Sequence, residues 1–425
     1  MAYVANSLVM VAIVLLFRYA DFVTLLGGAE FHLGWIVGLG MVGSLLMRSF
    51  LGRAIDEWGP RAVWAGSLLL FSTASFGHLA LSTCHGPAIY LLRIALFSAV
   101  AGIFGSAMTF ISGRTSQDRM AELLGMLGTS GFVGYIVGSQ LGDFLLAGPA
   151  VDRSQVVVMF TMAGLLALAA VPFALLATVG HPLRRNHRSR RRLPMLGLVR
   201  RYQPGTVILV GMATGAGLHL PGIFLRPFAA EMDIGRIGLF FSVYAPAAIL
   251  TRVLTRRLPE RLGLRFMILL GLSGVAVSQL LFLAVTSPWM LILPGIVYGF
   301  SHAILFPSAV AAASGAFPDR HRGLGTTFAL ATHDVGQLIG APLAGLVVHY
   351  AAALGLPGFA AMFVTMASLT VLVAFTFAAS PAPARLRSRH FRLAALPQPA
   401  SAVVEGGTDE GDVRTPGTQP ASSPA

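Results

Sequence analysis

The chain has 425 residues, of which 55% are hydrophobic and 11% charged, with a formal charge of +13. A soluble globular chain carries about a quarter charged residues, so this composition excludes a water-soluble globular protein. Every one of the 30 basic residues is arginine, and most lie between apolar runs, where they report topology and argue against nucleic acid as a partner.

Apolar runs of about 20 residues recur along the chain, each long enough to cross a ~30 Å hydrocarbon layer as a helix. Their lack of alternation excludes barrel strands. The expected fold is therefore an all-α polytopic membrane protein of twelve transmembrane helices. Its boundaries with lipid fall near 4–26, 33–51, 62–82, 87–112, 121–147, 155–179, 205–229, 236–255, 264–286, 288–314, 323–349 and 356–379.

The first span, "MAYVANSLVMVAIVLLFRYADF", has no basic leader and no small-residue cleavage site, so it is expected to stay as a helix rather than be removed. It carries Arg18 and Asp21, three apart on neighbouring helix surface. Between spans two and three lies "RSFLGRAIDEWGPR", from Arg48 to Arg61, a burst of charge in an apolar context. Arg93 sits a turn or two inside span four. Span five carries Gly131, Gly134, Gly138 and Gly142, a small-residue face suited to close helix contact.

The connector 181–203 holds eight arginines and no acid, and divides the spans six and six. The implied units are a six-helix bundle over 1–180, a basic linker over 181–203, a second bundle over 204–380 and a tail over 381–425. In the second unit, His219 lies near the middle of span seven and His302 near the middle of span ten. Arg226 lies near a helix end, where snorkelling accounts for it. His333, Asp334 and Gln337 lie deep in span eleven. The tail turns to Pro, Ala, Ser and Gly and reads as disordered, its arginines resting on anionic lipid.

Of the arginines, 25 fall on one face of the expected bundle, three (Arg153, Arg226 and Arg236) on the other, and Arg18 and Arg93 within spans. The positive-inside rule makes the rich face cytoplasmic, with both termini inside a cytoplasmic or inner membrane.

The Arg48–Arg61 stretch repeats at a displacement of 204 as "RVLTRRLPERLGLR". Arg48 meets Arg252, Arg53 meets Arg257, Asp56 meets Glu260, Gly59 meets Gly263 and Arg61 meets Arg265. Two related halves follow from this repeat. At these residues the chain resembles the major facilitator superfamily, whose loop between helices two and three reads about G-x-x-x-D-x-x-G-x-[RK]. Gly52, Asp56, Gly59 and Arg61 stand at its positions, and Arg53 lies within it. Glu57, Pro60 and Arg256 depart from the pattern. The resemblance implies a secondary transporter in two pseudo-symmetric six-helix bundles. It also implies a cytoplasmic latch in which Asp56 faces the start of span eleven near Arg322 and Gly323, with Arg257, Glu260, Gly263 and Arg265 as counterparts. Span five resembles part of the family's antiporter motif, with Ser139 in the proline position; simple tight packing is the competing account.

Ionisable groups inside spans are functional candidates by default. By the same resemblance, Arg18, Asp21, Arg93, His219 and His302 converge on one central chamber. Asp21 is open to two readings, a proton-titrating carboxylate or a permanent ion pair. Arg93 is open to anion binding or snorkelling, and each histidine to titration or packing. Asp334 is expected to hydrogen bond between helices. The excess of cations tilts the expected solute toward an anionic or zwitterionic compound.

Cys84 is alone, which excludes an intrachain disulfide and a cysteine metal cluster, and no P-loop occurs. No cofactor is expected. The expected partners are a small organic solute, protons and lipid, with the chain monomeric. Proton-coupled export is the leading reading. Nutrient uptake and a non-transporting sensor are the alternatives; an enzyme would need paired acids and histidines that the loops "HRSRRR" and "DRHRG" lack.

Overall fold

A computed structural model describes residues 1–112, 117–148, 151–179, 205–317 and 322–381, with the backbone alone at 112, 117–127, 260, 322 and 323. The basic linker 181–203, the tail beyond 381, the side chains of Glu260 and Arg322 and the surroundings of Gly323 fall outside the described residues. Among the described residues all regular structure is helical.

Helix α1 (Ala2–Leu25) tightens to a 3-10 turn at Leu16–Arg18. Glu30–Gly77 is a single hydrogen-bonded run of 48 residues, about 72 Å at 1.5 Å per residue and far more than one bilayer crossing. It is broken at Gly59 (φ 81°, ψ 157°) into arms α2 (30–58) and α3 (60–77). Then come α4 (Pro87–Ser112), α5 (Gln117–Leu145), α6 (Arg153–Ala177), α7 (Val207–Glu231) and α8 (Gly238–Thr255). The chain continues through α9 (Leu258–Leu281), α10 (Ile292–Gly315), α11 (Arg322–Ala353) and α12 (Gly358–Ala379).

Ten segments among the described residues are long and apolar enough to cross a membrane. One of the ten is the Gly59-broken run, and α5 is not among them, so the twelve expected crossings require both that division and α5. The start of α6 shows the local logic of an end in water. Asp152 accepts from the Gln155 N–H at 2.9 Å while Gln155 returns a bond to the Asp152 N–H at 3.1 Å, a reciprocal cap for free helix-end donors. The Ser154 hydroxyl and the Gln155 N–H hold the exposed Asp152 carboxyl below its ordinary range.

Packing repeats itself from one half to the other. Gly134 of α5 seats on Met10 of α1, and 202 residues later Gly336 of α11 seats on Met212 of α7. In the first half Phe22, His78 and Phe160 join α1, α6 and the 3-10 turn ending α3, with ring centres 4.8–5.9 Å apart. Phe228, Phe282 and Phe363 do the same for α7, α9 and α12 at 4.7–5.8 Å. Gly263 in α9 adopts φ 81° and ψ 154°, matching Gly59. The loop repeat seen in the sequence is thus a repeat of backbone shape.

The halves meet along α1 with α7, α2 with α11, and α5 with α8. At the arginine-poor face, a Cβ on Gly34 or Gly38 of α2 would strike Ala341 or Pro342 of α11, and one on Gly345 would strike the Glu30 carbonyl. Small residues let these backbones approach closely where lipid supplies no hydrophobic drive.

The φ and ψ at Gly59 and Gly263 belong to a region that essentially glycine alone occupies. Gly59→Ala and Gly263→Ala are each expected to cost about 1–3 kcal/mol, read as a lowered unfolding temperature in detergent. Gly66→Ala, where an added Cβ meets nothing within 4 Å, is expected to leave stability unchanged or slightly higher.

Candidate functional site

Near the arginine-poor end of α1, Arg18 is 1% exposed. A guanidinium so placed must have its charge and its donors met by the protein. Its Nε donates to Asp21 Oδ2 at 2.5 Å, Nη1 to Asp143 Oδ1 at 3.0 Å and Nη2 to the Leu146 carbonyl at 3.0 Å. Gly142 of α5 leaves room for the arginine stem, since a Cβ there would stand 3.0 Å from Arg18 Cγ.

Both carboxylates also reach across to the other half. Arg226 of α7 donates from Nε to Asp21 Oδ1 at 2.9 Å, and the Gly238 N–H at the start of α8 donates to Asp143 Oδ2 at 2.6 Å. Two arginines and two aspartates form one chain from α7 through α1 and α5 to α8. Asp143 also faces the positive end of α8, which favours a carboxylate. Gln140 adds a bond to Ser242, again from α5 to α8, at 2.7 Å.

A second polar bridge joins the halves deeper in the bundle. Asp334 of α11 accepts from Ser44 at 2.6 Å and from Arg48 Nε at 2.6 Å and Nη2 at 3.3 Å. Arg48 therefore belongs to this interface more than to the loop that follows it. Within that loop Gly52 is half-buried, Gly59 is buried, and Arg53, Asp56 and Arg61 are exposed. In the second copy Arg257 and Arg265 are exposed and Gly263 is buried. Arg265 Nη2 donates to the carbonyls of Ala378 and Ser380 at the end of α12, a cation on a helix C-terminus.

Among the described residues Arg93, His219 and His302 make no hydrogen bond, ion pair or ring contact with Arg18 or Asp21. Arg93 is 7% exposed and stacks its guanidinium over Tyr19 at 4.1 Å and Phe97 at 4.7 Å. Its Nε and Nη1 have no hydrogen-bond partner among the described residues. Tyr19 itself packs on Phe22, His78 and Phe160, so Arg93 points into the first bundle. His219 bonds to the Gly215 carbonyl at 3.2 Å and sets its ring edge-on to His333 at 4.7 Å. His302 is hydrogen bonded to the Tyr244 hydroxyl and stacked on that ring. Among the described residues no cluster of metal-ligating side chains occurs.

Two arginines are placed otherwise than the sequence leads one to expect. Arg226 does not snorkel; it holds Asp21 across the interface. Arg18 is not an excess cation, because Asp143 shares its charge. Asp143 was legible as an acid in "GSQLGDFLL" directly after the glycine that makes room for Arg18, but its position near a helix end resembles an ordinary solvated residue.

Comparison with known proteins accords with this architecture. A family model described as Major Facilitator Superfamily matches residues 1–235 and 205–405. The uncharacterized MFS-type transporter YhhS of Escherichia coli (strain K12) is 25% identical over 339 residues, spanning 77% of this chain and 79% of that protein. An uncharacterized MFS-type transporter of Pseudomonas aeruginosa (strain UCBPP-PA14) is 25% identical over 358 residues, spanning 82% and 84%. Among solved structures, the nucleoside transporter NupG superposes with a TM-score of 0.68 at 16% identity over 88% of this chain and 98% of that one. A D-xylose–proton symporter superposes with a TM-score of 0.70 at 14% identity over 90% and 97%.

Removing one member of a buried ion pair strands the other. Asp143→Ala is expected to destabilise the protein by about 3–5 kcal/mol. In an Arg18→Met background the same change is expected to cost at least about 1 kcal/mol less, the coupling of residues in one network. A double-mutant cycle of thermal unfolding in detergent measures both.

Proposed function

Because the chain belongs to the Major Facilitator Superfamily of transporters, we propose that it is a proton-coupled secondary transporter that exports a small organic solute by alternating access. The arginine-rich face is taken as cytoplasmic, and residues 1–180 and 204–380 as the two units that rock about the solute.

One observation carries the reading: Asp21 is held at once by Arg18 of its own half and Arg226 of the other. The bond to Arg226 closes the arginine-poor side and requires the carboxylate to be ionised. A proton on Asp21 removes that attraction, so the balance between closed and open arrangements follows the occupancy of one carboxylate. A group that bridges the two halves and biases their rocking by its own charge meets a physical requirement for coupling to a pH gradient. Asp143 keeps Arg18 paired while Asp21 is protonated, so the arginine is never left wholly without a counter-charge.

Export is supported by the glycine run of α5. Gly134, Gly138 and Gly142 seat that helix on Met10, on Val11 to Leu15 and on Arg18, tying it to the helix that carries Asp21. Their spacing is like that of the family's antiporter motif. The second bridge, Arg48 on Asp334, serves as a hinge contact between halves in this scheme.

In proteoliposomes with an imposed pH gradient, Asp21→Asn is expected to abolish gradient-driven flux of the solutes found by a substrate screen. Exchange of solute without a gradient is expected to persist. Unchanged gradient-driven flux in that variant would remove Asp21 from the coupling. Absence of solute-evoked proton movement in the unaltered protein, followed with an entrapped pH dye, would remove proton coupling altogether.

A further inference from the structure

The two halves repeat their interface contacts in position, and at one of them a paired arginine in one half becomes, among the described residues, an arginine without a carboxylate in the other. Arg48 of α2 forks onto Asp334 of α11, and the matching contact is α8 against α5. The loop repeat carries Arg48 onto Arg252 at a displacement of 204. The packing of α5 on α1 and of α11 on α7, in which Gly134 on Met10 becomes Gly336 on Met212, carries position 132 onto position 334. Arg252 accordingly lies over the ring of Phe132, 4.8 Å from its centre. The geometry of the contact is kept, and a phenyl ring stands where the other interface has a carboxylate.

Among the described residues no carboxylate pairs with Arg252. Phe132 is buried, and Arg252 Nε is buried with no hydrogen-bond partner among the described residues. A ring face offsets a cation by about 0.5–2 kcal/mol, whereas a paired carboxylate neutralises it outright. Tyr135, Tyr244 and His302 stand close enough to feel the charge of Arg252, and none of them is an anion at neutral pH. Arg93, which among the described residues also has buried donors without a partner, is packed inside one bundle. Arg252 instead lies between the halves, one turn from the arginine-rich end of α8, where exposed Arg256, Arg257 and Arg261 concentrate anions from solution.

We propose that Arg252 binds an anionic group, a carboxylate or a phosphate, on the transported solute, against an aromatic wall formed by Phe132, Tyr135 and Tyr244. This rests on the transporter reading above and adds the charge class of the solute to it. The guanidinium fork suits bidentate binding of either group, and the incoming anion supplies the counter-charge that Asp334 gives Arg48. The planar wall lets an unsaturated or aromatic solute stack as it binds.

The test is a thermal-shift titration of the full chain in detergent. The probes are small carboxylates and phosphate monoesters, each paired with its uncharged amide or alcohol. Anions from this panel are expected to stabilise the protein and their uncharged partners not to. Arg252→Gln is expected to weaken the response about tenfold or more, with Arg252→Lys retaining part of it. Phe132→Asp copies the Arg48–Asp334 arrangement, so it keeps Arg252 and is expected to lose the anion response while thermal stability holds or rises. It also decides the matter if Arg252→Gln does not yield folded protein. No preference for anions in the unaltered chain, or an anion response that survives Phe132→Asp, overturns the proposal. Proteoliposome flux separates the two claims. Anion binding without flux of any solute overturns the transport reading and upholds this site; flux confined to neutral or cationic solutes and indifferent to Phe132→Asp does the reverse.

Discussion

A cation taken out of water is costly unless charge within its own reach answers it, and the contact between the two halves is organised around that cost at Arg18. The cost of an unpaired buried ion is several kcal/mol, a large share of the marginal stability of a folded chain. Arg18 meets it with two aspartates and a carbonyl. Each aspartate then has a free oxygen, and the nearest donors belong to the other half. Neutralising one arginine inside the first bundle therefore creates the acceptors that draw α7 and the start of α8 against it. The glycines of α5 follow from the same need, because a side chain at Gly142 would occupy the space of the Arg18 stem.

Duplication explains much of what surrounds this network. The aromatic trio of α1, α3 and α6 has its copy in α7, α9 and α12, with His78 replaced by Phe282. The tight turns at Gly59 and Gly263 share one backbone conformation. Interfaces between the halves are duplicated as well, α2 on α11 and α5 on α8. It is where a copied contact changes its chemistry that the molecule departs from a symmetric scaffold. Asp334 opposite Arg48 and Phe132 opposite Arg252 differ in charge at a shared position, and the C-terminal bundle alone has the histidines His219, His302 and His333.

The architecture was legible from apolar length, arginine placement and the 204-residue repeat, because those features reflect the bilayer and a duplication, both of which act along the sequence. The network was legible only in part. Arg18 and Asp21 stand three apart and announce themselves as a pair. Asp143 and Arg226 lie 125 and 208 residues from Arg18, and no periodicity links residues that meet only through packing. Depth within a span could be counted, whereas facing could not. Arg93 and Arg18 stand at comparable depth, yet one turns into the first bundle and the other toward the interface. Asp334 was found by its polarity in an apolar helix, and its partner Arg48 was assigned to a loop because charge near a helix end ordinarily belongs to solvent.

The absence of lysine from the chain has a consequence for how it can respond to pH. Every side-chain cation other than histidine is a guanidinium, which stays protonated in proteins at any pH a cell meets. The positive half of each ion pair is then a fixed quantity, set when the chain is made. Whatever the proton concentration does to the balance of these helices, it must do by adding to carboxylates or imidazoles. A lysine-bearing network can shed charge from either partner and blur its own response. Here the arginines serve as a constant background against which the arrival of a single proton is counted.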